Sequence, residues 1–552
     1  MALLVPGLLA ILAQAQSFDS QLTSAPSADD FLRKWVPRAT VLGNYLYLDG
    51  GEVSQTVDGT NLKYRQSNQV NDTLSINLAE SWDPKDVALR KILKPAQNLV
   101  RQAIFTDESG GAFYAWGGKT SYQDETPEAE LWKFTPGSQG DGSWTSSTPN
   151  DGGIFSGLQR SSDGAYASTP NAAFHFGGVA SIRSTTTRPF GPVPGYVKFN
   201  STTQAWSNHT EGGWARSRLL EGGSAVYVPT FGPNGVVMII GGREPDGNYL
   251  SMQNVTFMDP VTGDWHFQET ETGETVPHSR VHHCVVGVES PNKTFEIFVY
   301  GGHLGGNDIV YDDVHVLSLP GFFWRKADYE SKSPRDSHAC VVAGDGKRQM
   351  ISYGGVNDKS SSSGFWREKD PFPQGLGVFD MTEMAWKTRY EADAAAYESP
   401  EAVKSWYAEG GMKNREWSSD AVKQLFAQDE SSTGGSTEGE GGDGGGSEAE
   451  SSSGGTSTAV IAGGVVGGVL GVALIGGLIW FLLRRRRKAT DHGMDETEAF
   501  KMQPTELHGY ASTRAEVDGT QQKPMELMGS GGMYTDAVEL DVGGPGQQPR
   551  YH

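Results

Sequence analysis

Six times along this chain a short apolar, strand-forming run ends on two glycines. The runs are YLYLDGG (45–51), FYAWGG (113–118), AFHFGG (173–178), VVMIIGG (236–242), FEIFVYGG (295–302) and QMISYGG (349–355). The second glycines follow one another at intervals of 67, 60, 64, 60 and 53 residues. Six occurrences are a repeated unit, and a repeat constrains the architecture before anything else does. The pairs are Gly50 and Gly51, Gly117 and Gly118, Gly177 and Gly178, Gly241 and Gly242, Gly301 and Gly302, Gly354 and Gly355. Each is followed 22–31 residues later by a tryptophan: Trp82, Trp144, Trp206, Trp265, Trp324 and Trp386. Short alternating strands such as ELWKF (130–134), GYVKF (195–199) and DVHVLSL (313–319) precede most of them. The unit therefore reads strand, double glycine, loop, strand, tight turn, Trp-bearing strand.

This unit resembles the kelch repeat, whose four-stranded sheets pack radially as blades of a β-propeller. The resemblance implies an all-β fold over residues 35–390, with six blades, or seven if the ring closes with an extra one. Gly at a strand end near a crowded axis permits positive φ and close backbone approach. The Trp on an outer strand fills the space between neighbouring sheets. Two units also open with similar inner strands, PHSRVHHCVVGV (277–288) and SPRDSHACVVAG (333–344), like the P-R-x-x-H opening of kelch units. The chain's two cysteines, Cys284 and Cys340, take corresponding positions in these strands. In an exported chain such a pair suggests a disulfide; two buried thiols are the alternative.

The flanking segments point to export and anchoring. MALLVPGLLAILAQAQS has an apolar stretch from Ala2 to Leu12 and the small-x-small pattern Ala13-Gln14-Ala15, so residues 1–15 read as a signal peptide, although the basic n-region is missing. A buried N-terminal strand is the plainer alternative. Sequons at Asn71, Asn200, Asn208, Asn254 and Asn292 become N-glycosylation candidates if the chain is exported. Residues 458–483 carry no charge and are long enough to cross a bilayer as one helix. RRRRK (484–488) follows, which places residues 484–552 in the cytoplasm and everything before 458 outside. Gly463, Gly467 and Gly471 have G-x-x-x-G spacing, which permits a weak homodimer; glycine is also simply common in spans.

Between propeller and span, residues 392–430 carry helical punctuation. Ser399 is a candidate N-cap with Pro400 at the first helical position, and Gly410-Gly411 stops the helix. Ser418 or Ser419 would cap a second short helix with Val422, Leu425 and Phe426 on one face. Residues 431–457 form a Gly/Ser/Glu-rich stalk with little to bury, and the polar cytoplasmic tail is expected to be disordered.

Function is constrained mostly by exclusion. A net charge of −22 argues against nucleic acid, whose phosphates need clustered Lys and Arg. Kelch-like propellers include galactose oxidase, so a metal-dependent oxidase acting on sugars or alcohols is the alternative to a binding role. His278, His282, His283, His303 and His338 are the candidate imidazoles, but His282 and His338 stand two residues before each Cys, where the repeat's own structural histidine falls. The plant specifier proteins, which use an iron site, are matched only loosely by Asp308, Asp312 and His315, with the wrong spacing. No Gly-rich phosphate cradle, nucleophile elbow or H-E-x-x-H occurs. The expectation is a non-enzyme without cofactor.

The order of parts resembles the kelch-repeat, single-span surface proteins of filamentous fungi, chiefly through residues 284–324 and 460–488. That resemblance implies a glycoprotein at the plasma membrane or cell surface that binds, adheres to or senses a glycan or protein ligand. The loops 117–130, 177–192, 241–254 and 354–374 are the candidate contact surfaces, because loops vary freely on a rigid scaffold.

Overall fold

The computed structural model describes residues 22–426, apart from 58–59, 62–67, 70, 122–125, 127–129, 187–188, 272, 274, 306–308, 358 and 360–365. The expected signal peptide, stalk, membrane span and cytoplasmic tail all lie outside the described residues.

Six four-stranded antiparallel sheets form a closed ring. Blade 1 uses Arg38–Leu42, Tyr45–Asp49, Asp72–Asn77 and Arg90–Leu93; blade 2 uses Ala103–Asp107, Ala112–Trp116, Leu131–Pro136 and Gly142–Ser147. Blade 3 uses Ala165–Ser168, Ala172–Phe176, Tyr196–Asn200 and Ala205–His209; blade 4 uses Ser224–Val228, Val236–Ile240, Asn254–Met258 and Trp265–Glu269. Blade 5 uses Cys284–Glu289, Phe295–Tyr300, Val314–Leu319 and Phe323–Lys326; blade 6 uses Ala339–Ala343, Gln349–Tyr353, Leu376–Asp380 and Ala385–Lys387. The first strand of each blade lies innermost and packs beside the first strands of both neighbouring blades, including blade 1 against blade 6. Six blades therefore complete the circle, and a seventh is not needed.

Burial follows from this geometry. The second strands of blades 2–6 are buried at every residue, because neighbouring sheets cover both faces. That is why FEIFVY and VVMII read as continuous apolar runs rather than as alternating ones. The innermost strands instead alternate, as in Cys284–Glu289 and Ala339–Ala343, with every second residue more open. Of the repeat tryptophans, Trp144, Trp206, Trp265, Trp324 and Trp386 lie on the fourth strands. They pack back onto the preceding blade: Trp324 donates its indole N–H to the Met252 carbonyl, and Trp144 donates to Thr73 Oγ1. Trp82 differs. Blade 1's fourth strand is Arg90–Leu93, without Trp, and Trp82 precedes it, stacked on Tyr390 at 5.0 Å beside blade 6.

Each blade has two hairpins on one face of the ring, while the loops after the double glycines and the links between blades lie on the other. After Tyr390 the chain runs back across the hairpin face over blades 6, 5 and 4. Tyr397 bonds Glu296, Trp406 of helix Glu401–Ala408 stacks on Phe323 at 3.8 Å, and Phe426 of helix Asp420–Phe426 packs against Phe231 and Phe322. The first helix starts one residue later than expected. Pro400 is its N-cap, and the Ser399 hydroxyl instead meets Thr294 in blade 5, which fixes the strap to the propeller. Gly410, at φ +82°, ends that segment, and Ser419 Oγ accepts the Val422 N–H at the start of the second helix.

Candidate functional site: the axial mouth

The double glycines build the walls of the axis. Both members of all six pairs have positive φ, between +57° and +101°. The second glycine donates its N–H to the next blade: Gly118 to Ser161, Gly178 to Leu220, Gly242 to Arg280, Gly302 to Arg335 and Gly355 to Lys34, each at 2.7–2.9 Å. The first glycine lies so close to that blade that a Cβ on Gly301 would sit 2.5 Å from the Arg335 carbonyl oxygen. Only glycine meets both conditions at once.

Two residues before each inner strand, and in five cases two beyond one of those acceptors, a second set of positive-φ residues closes in around the axis: Val36, Arg101, Asp163, Gly222, His282 and Ser337. Their backbones link around the ring. Val36 donates to Ser337, Ser337 to His282, His282 to Gly222 and Gly222 to Asp163, at 2.7–3.0 Å. A cavity of about 190 Å³ opens inside them, walled by the first residues of the inner strands.

The side chains at this mouth form one polar network. Arg101 pairs with Asp163 at 2.7 Å and donates to Ser337 Oγ at 3.2 Å. Lys119 Nζ stands 3.5 Å from Asp163, and His282 Nε2 stands 3.4 Å from it. The His282 ring lies 5.1 Å from His303, whose Nδ1 meets Asp336 at 3.0 Å. Burial pushes the Asp163 carboxyl up, but Arg101, Lys119 and His282 outweigh it and hold the group well below the usual range. Burial, then Arg101, pushes His282 down to about 3, so it is a neutral imidazole with one donor and one acceptor. The network thus offers a carboxylate, a guanidinium, an ammonium, a neutral imidazole and a hydroxyl around one opening.

None of Arg101, Lys119, Asp163 or Ser337 stands out in the sequence. What connects the ring positions is their distance from the inner strand, and they share no residue type.

The sequence candidates fall elsewhere. Cys284 and Cys340 are joined, with Cα atoms 5.7 Å apart, and tie the inner strands of blades 5 and 6 together. They are not at corresponding positions. Cys284 pairs with Tyr300 and is matched in blade 6 by Ala339, which pairs with Tyr353; Cys340 lies one residue further on. The offset also changes which histidines correspond. His283 and His338 are the equivalent pair, each with its ring against the first glycine of the preceding blade, and His283 Nε2 meets the Ile240 carbonyl oxygen. His282 is freed for the axial ring. Among the described residues, Cys284, Cys340 and His338 are the one group of metal-ligating atoms drawn together, and both of its sulfurs are in the disulfide. His278 stacks near Tyr311, and His315 bonds Asp313 and the Thr275 carbonyl. Asp312 accepts from Tyr300, Ser331 and the Ser333 N–H, ordering its own loop; Asp308 lies outside the described residues. The sequon residues Asn71, Asn208, Asn254 and Asn292 are exposed, and Asn200 is half-buried.

No family model matches the chain. It is 26% identical over 417 residues to a kelch repeat-containing protein of Arthroderma benhamiae, an alignment spanning 66% of this chain and 58% of that relative. Repeat, ring and relative agree. The chain is a six-bladed β-propeller that is similar to this kelch repeat-containing relative. The solved structure of YjhT aligns with 64% of this chain and 97% of its own, at 12% identity and a TM-score of 0.43.

Proposed function

We propose that this kelch propeller is an extracellular binding module, held to the plasma membrane by the span at 458–483, and that it receives a glycan or protein ligand at the axial mouth. The observation that carries the reading is the placement of the Arg101–Asp163–His282 network on the double-glycine face, opposite the helical strap through which the chain leaves the ring. The face that carries the network is free of the strap, and it is the face on which the chain continues after each double glycine. A rigid ring with polar groups gathered at one opening is suited to recognition, because the groups are positioned before the ligand arrives.

The reading is of a binder and not of an enzyme. An oxidase of the galactose-oxidase kind uses a cysteine cross-linked to a tyrosine, and here each cysteine is bonded to the other. Kelch architecture alone does not fix function, so the test is direct. The secreted ectodomain, residues 16–430, is measured for saturable binding to an array of cell-wall polysaccharides and shorter glycans, with and without a chelator. Binding that ignores the chelator and is lost in Asp163→Asn supports the proposal. Binding that needs a metal, or that survives Asp163→Asn unchanged, removes it.

A further inference from the structure

Strand alternation on the outer half of blade 3 divides its side chains between two neighbours. Across the third and fourth strands Tyr196 pairs with His209, Lys198 with Ser207 and Asn200 with Ala205. This set faces blade 4, where Lys198 Nζ donates to the Pro260 carbonyl at 2.8 Å. The intervening residues Val197, Phe199, Trp206 and Asn208 share the opposite face, on which Trp206 packs against Phe105 and Trp116 of blade 2.

On the blade 4 side lies a groove of about 640 Å³, lined among others by Tyr196, Lys198, Asn200, His209, Thr262 and Trp265, with Asn208 at its edge. Its floor is aromatic. His209 lies flat on Tyr196, with centroids 4.5 Å apart and planes 7° from parallel, and Trp265 meets Tyr196 edge-on at 6.2 Å. Its walls are polar, with Ser207 Oγ 2.9 Å from His209 Nε2. Asn200 opens Asn200-Ser201-Thr202 at the end of the third strand, so from there to Tyr196 the groove follows about 13 Å of extended chain. Asn200 Oδ1 accepts the Thr203 N–H at 2.8 Å, which leaves Nδ2, the atom that carries a sugar, out of that bond.

We propose that this groove is the bed of the chain's own N-linked glycan, attached at Asn200. The bond joins Nδ2 to the anomeric carbon of a sugar delivered on a lipid diphosphate carrier; the carrier leaves with the anomeric oxygen, and Nδ2 gives up one proton. The apolar faces of the first pyranose rings then lie along His209 and Trp265, which Tyr196 backs from below, and their hydroxyls meet Lys198, Ser207 and Thr262. Tethering makes the contact intramolecular, so interactions too weak to hold a free sugar suffice. The glycan covers the outer seam between blades 3 and 4. This inference rests on the export reading above.

The experiment uses the full chain made in a eukaryotic secretory host, kept native in mild detergent and treated with an amidase that cuts the sugar–asparagine bond. Peptide mapping follows Asn200 and the exposed Asn292 of blade 5 separately. Release at Asn200 is expected about tenfold slower than at Asn292, and the difference disappears on denaturation. Val261→Arg at the lip of the groove, a position 67% exposed in the native chain, and Lys198→Ala should each bring Asn200 to the Asn292 rate in a folded protein. Equal rates in the native chain overturn the proposal, as does a slow rate untouched by both variants. Glycans at the other sequons with none at Asn200 overturn it while leaving export standing; no glycan at any sequon overturns both.

Discussion

The seam between blades 5 and 6 and the seam between blades 6 and 1 solve one packing problem in different ways. At the first, consecutive stretches of chain are already neighbours, the Cys284–Cys340 bond crosses between inner strands, and Trp386 packs on Tyr300 at 4.9 Å. At the second, the two ends of the ring must find each other across about 300 residues, and among the described residues no strand is exchanged between the two sheets. An N-terminal strand, Phe31–Trp35, takes that role. It pairs with Glu52–Val57 beyond the first double glycine and reaches over blade 6, where Lys34 accepts from Gly355 and Arg33 bonds the Glu368 carbonyl. On the outer side Trp82 and Tyr390 exchange both backbone hydrogen bonds and stack, and the Tyr390 hydroxyl donates to Leu78. The comparison teaches that closure here rests on non-covalent contacts of the chain ends, backbone hydrogen bonds and ring stacking together, while the covalent brace reinforces a seam that chain continuity already favours.

Acid and base should distinguish the seams most strongly. Burial pushes His175, His282 and His338 down to about 3 and His283 well below its usual value. A basic group with a lowered folded pKa binds its proton more readily in the unfolded chain, so stability falls as pH drops from about 6.5 toward 3. Each such group contributes about 1.4 kcal/mol per pH unit in that window. None of these four histidines lies at the 6/1 seam. That seam holds Lys34, which burial pushes down to about 8, so its contribution rises between pH 8 and 10.5. Denaturant midpoints measured from pH 4 to 10 should show both limbs. Lys34→Met should flatten the alkaline limb and leave the acid one; a loss of acid sensitivity in that variant would contradict the assignment.

Tyr390→Ala comes next, because it empties a fully buried ring position at the non-covalent seam. The expected loss is about 3–5 kcal/mol. Replacing Cys284 and Cys340 together by Ser should cost less, about 2–4 kcal/mol, chiefly by freeing the unfolded chain. If the double serine variant proves the weaker of the two in thermal unfolding, the disulfide and not the chain ends governs closure.

Much of this was legible in the sequence, and the reason is steric. A double glycine is the single solution to a strand end with φ near +70° pressed against the next blade, so it recurs six times and announces the blade count. Five of the tryptophans recur because each must fill the same space on the preceding sheet. The axial ring was illegible for the complementary reason. Its positive φ is tolerated by Val36, Arg101, Asp163, His282 and Ser337 alike, held there by backbone bonds or, at Arg101, by its side chain, so no residue type marks the position. The cysteines misled by one residue, since matching Cys to Cys overrode the better match of Arg280 to Arg335 and His283 to His338. The role of Trp82 was hidden too, because its partner Tyr390 lies 308 positions along the chain.

The smallest expected effect sharpens the comparison furthest. Gly301 and Gly354 are equivalent first glycines, at φ +65° and +70°, and a Cβ on either would stand 2.5 Å from a carbonyl of the next blade, Arg335 or Lys34. Alanine at each position carries the same local strain, about 1–3 kcal/mol. What differs is whether the opposing carbonyl can retreat. Arg335 is fully buried, bonded to the Gly354 carbonyl and Asp370, and five residues from the disulfide. Lys34 belongs to a strand attached to the rest of the chain at one seam only, so it can shift by the few tenths of an ångström required. Gly301→Ala should therefore destabilise more than Gly354→Ala in matched denaturant titrations. The reverse order would mean that the N-terminal strand is the stiffer wall, and that the ring is locked where its ends meet.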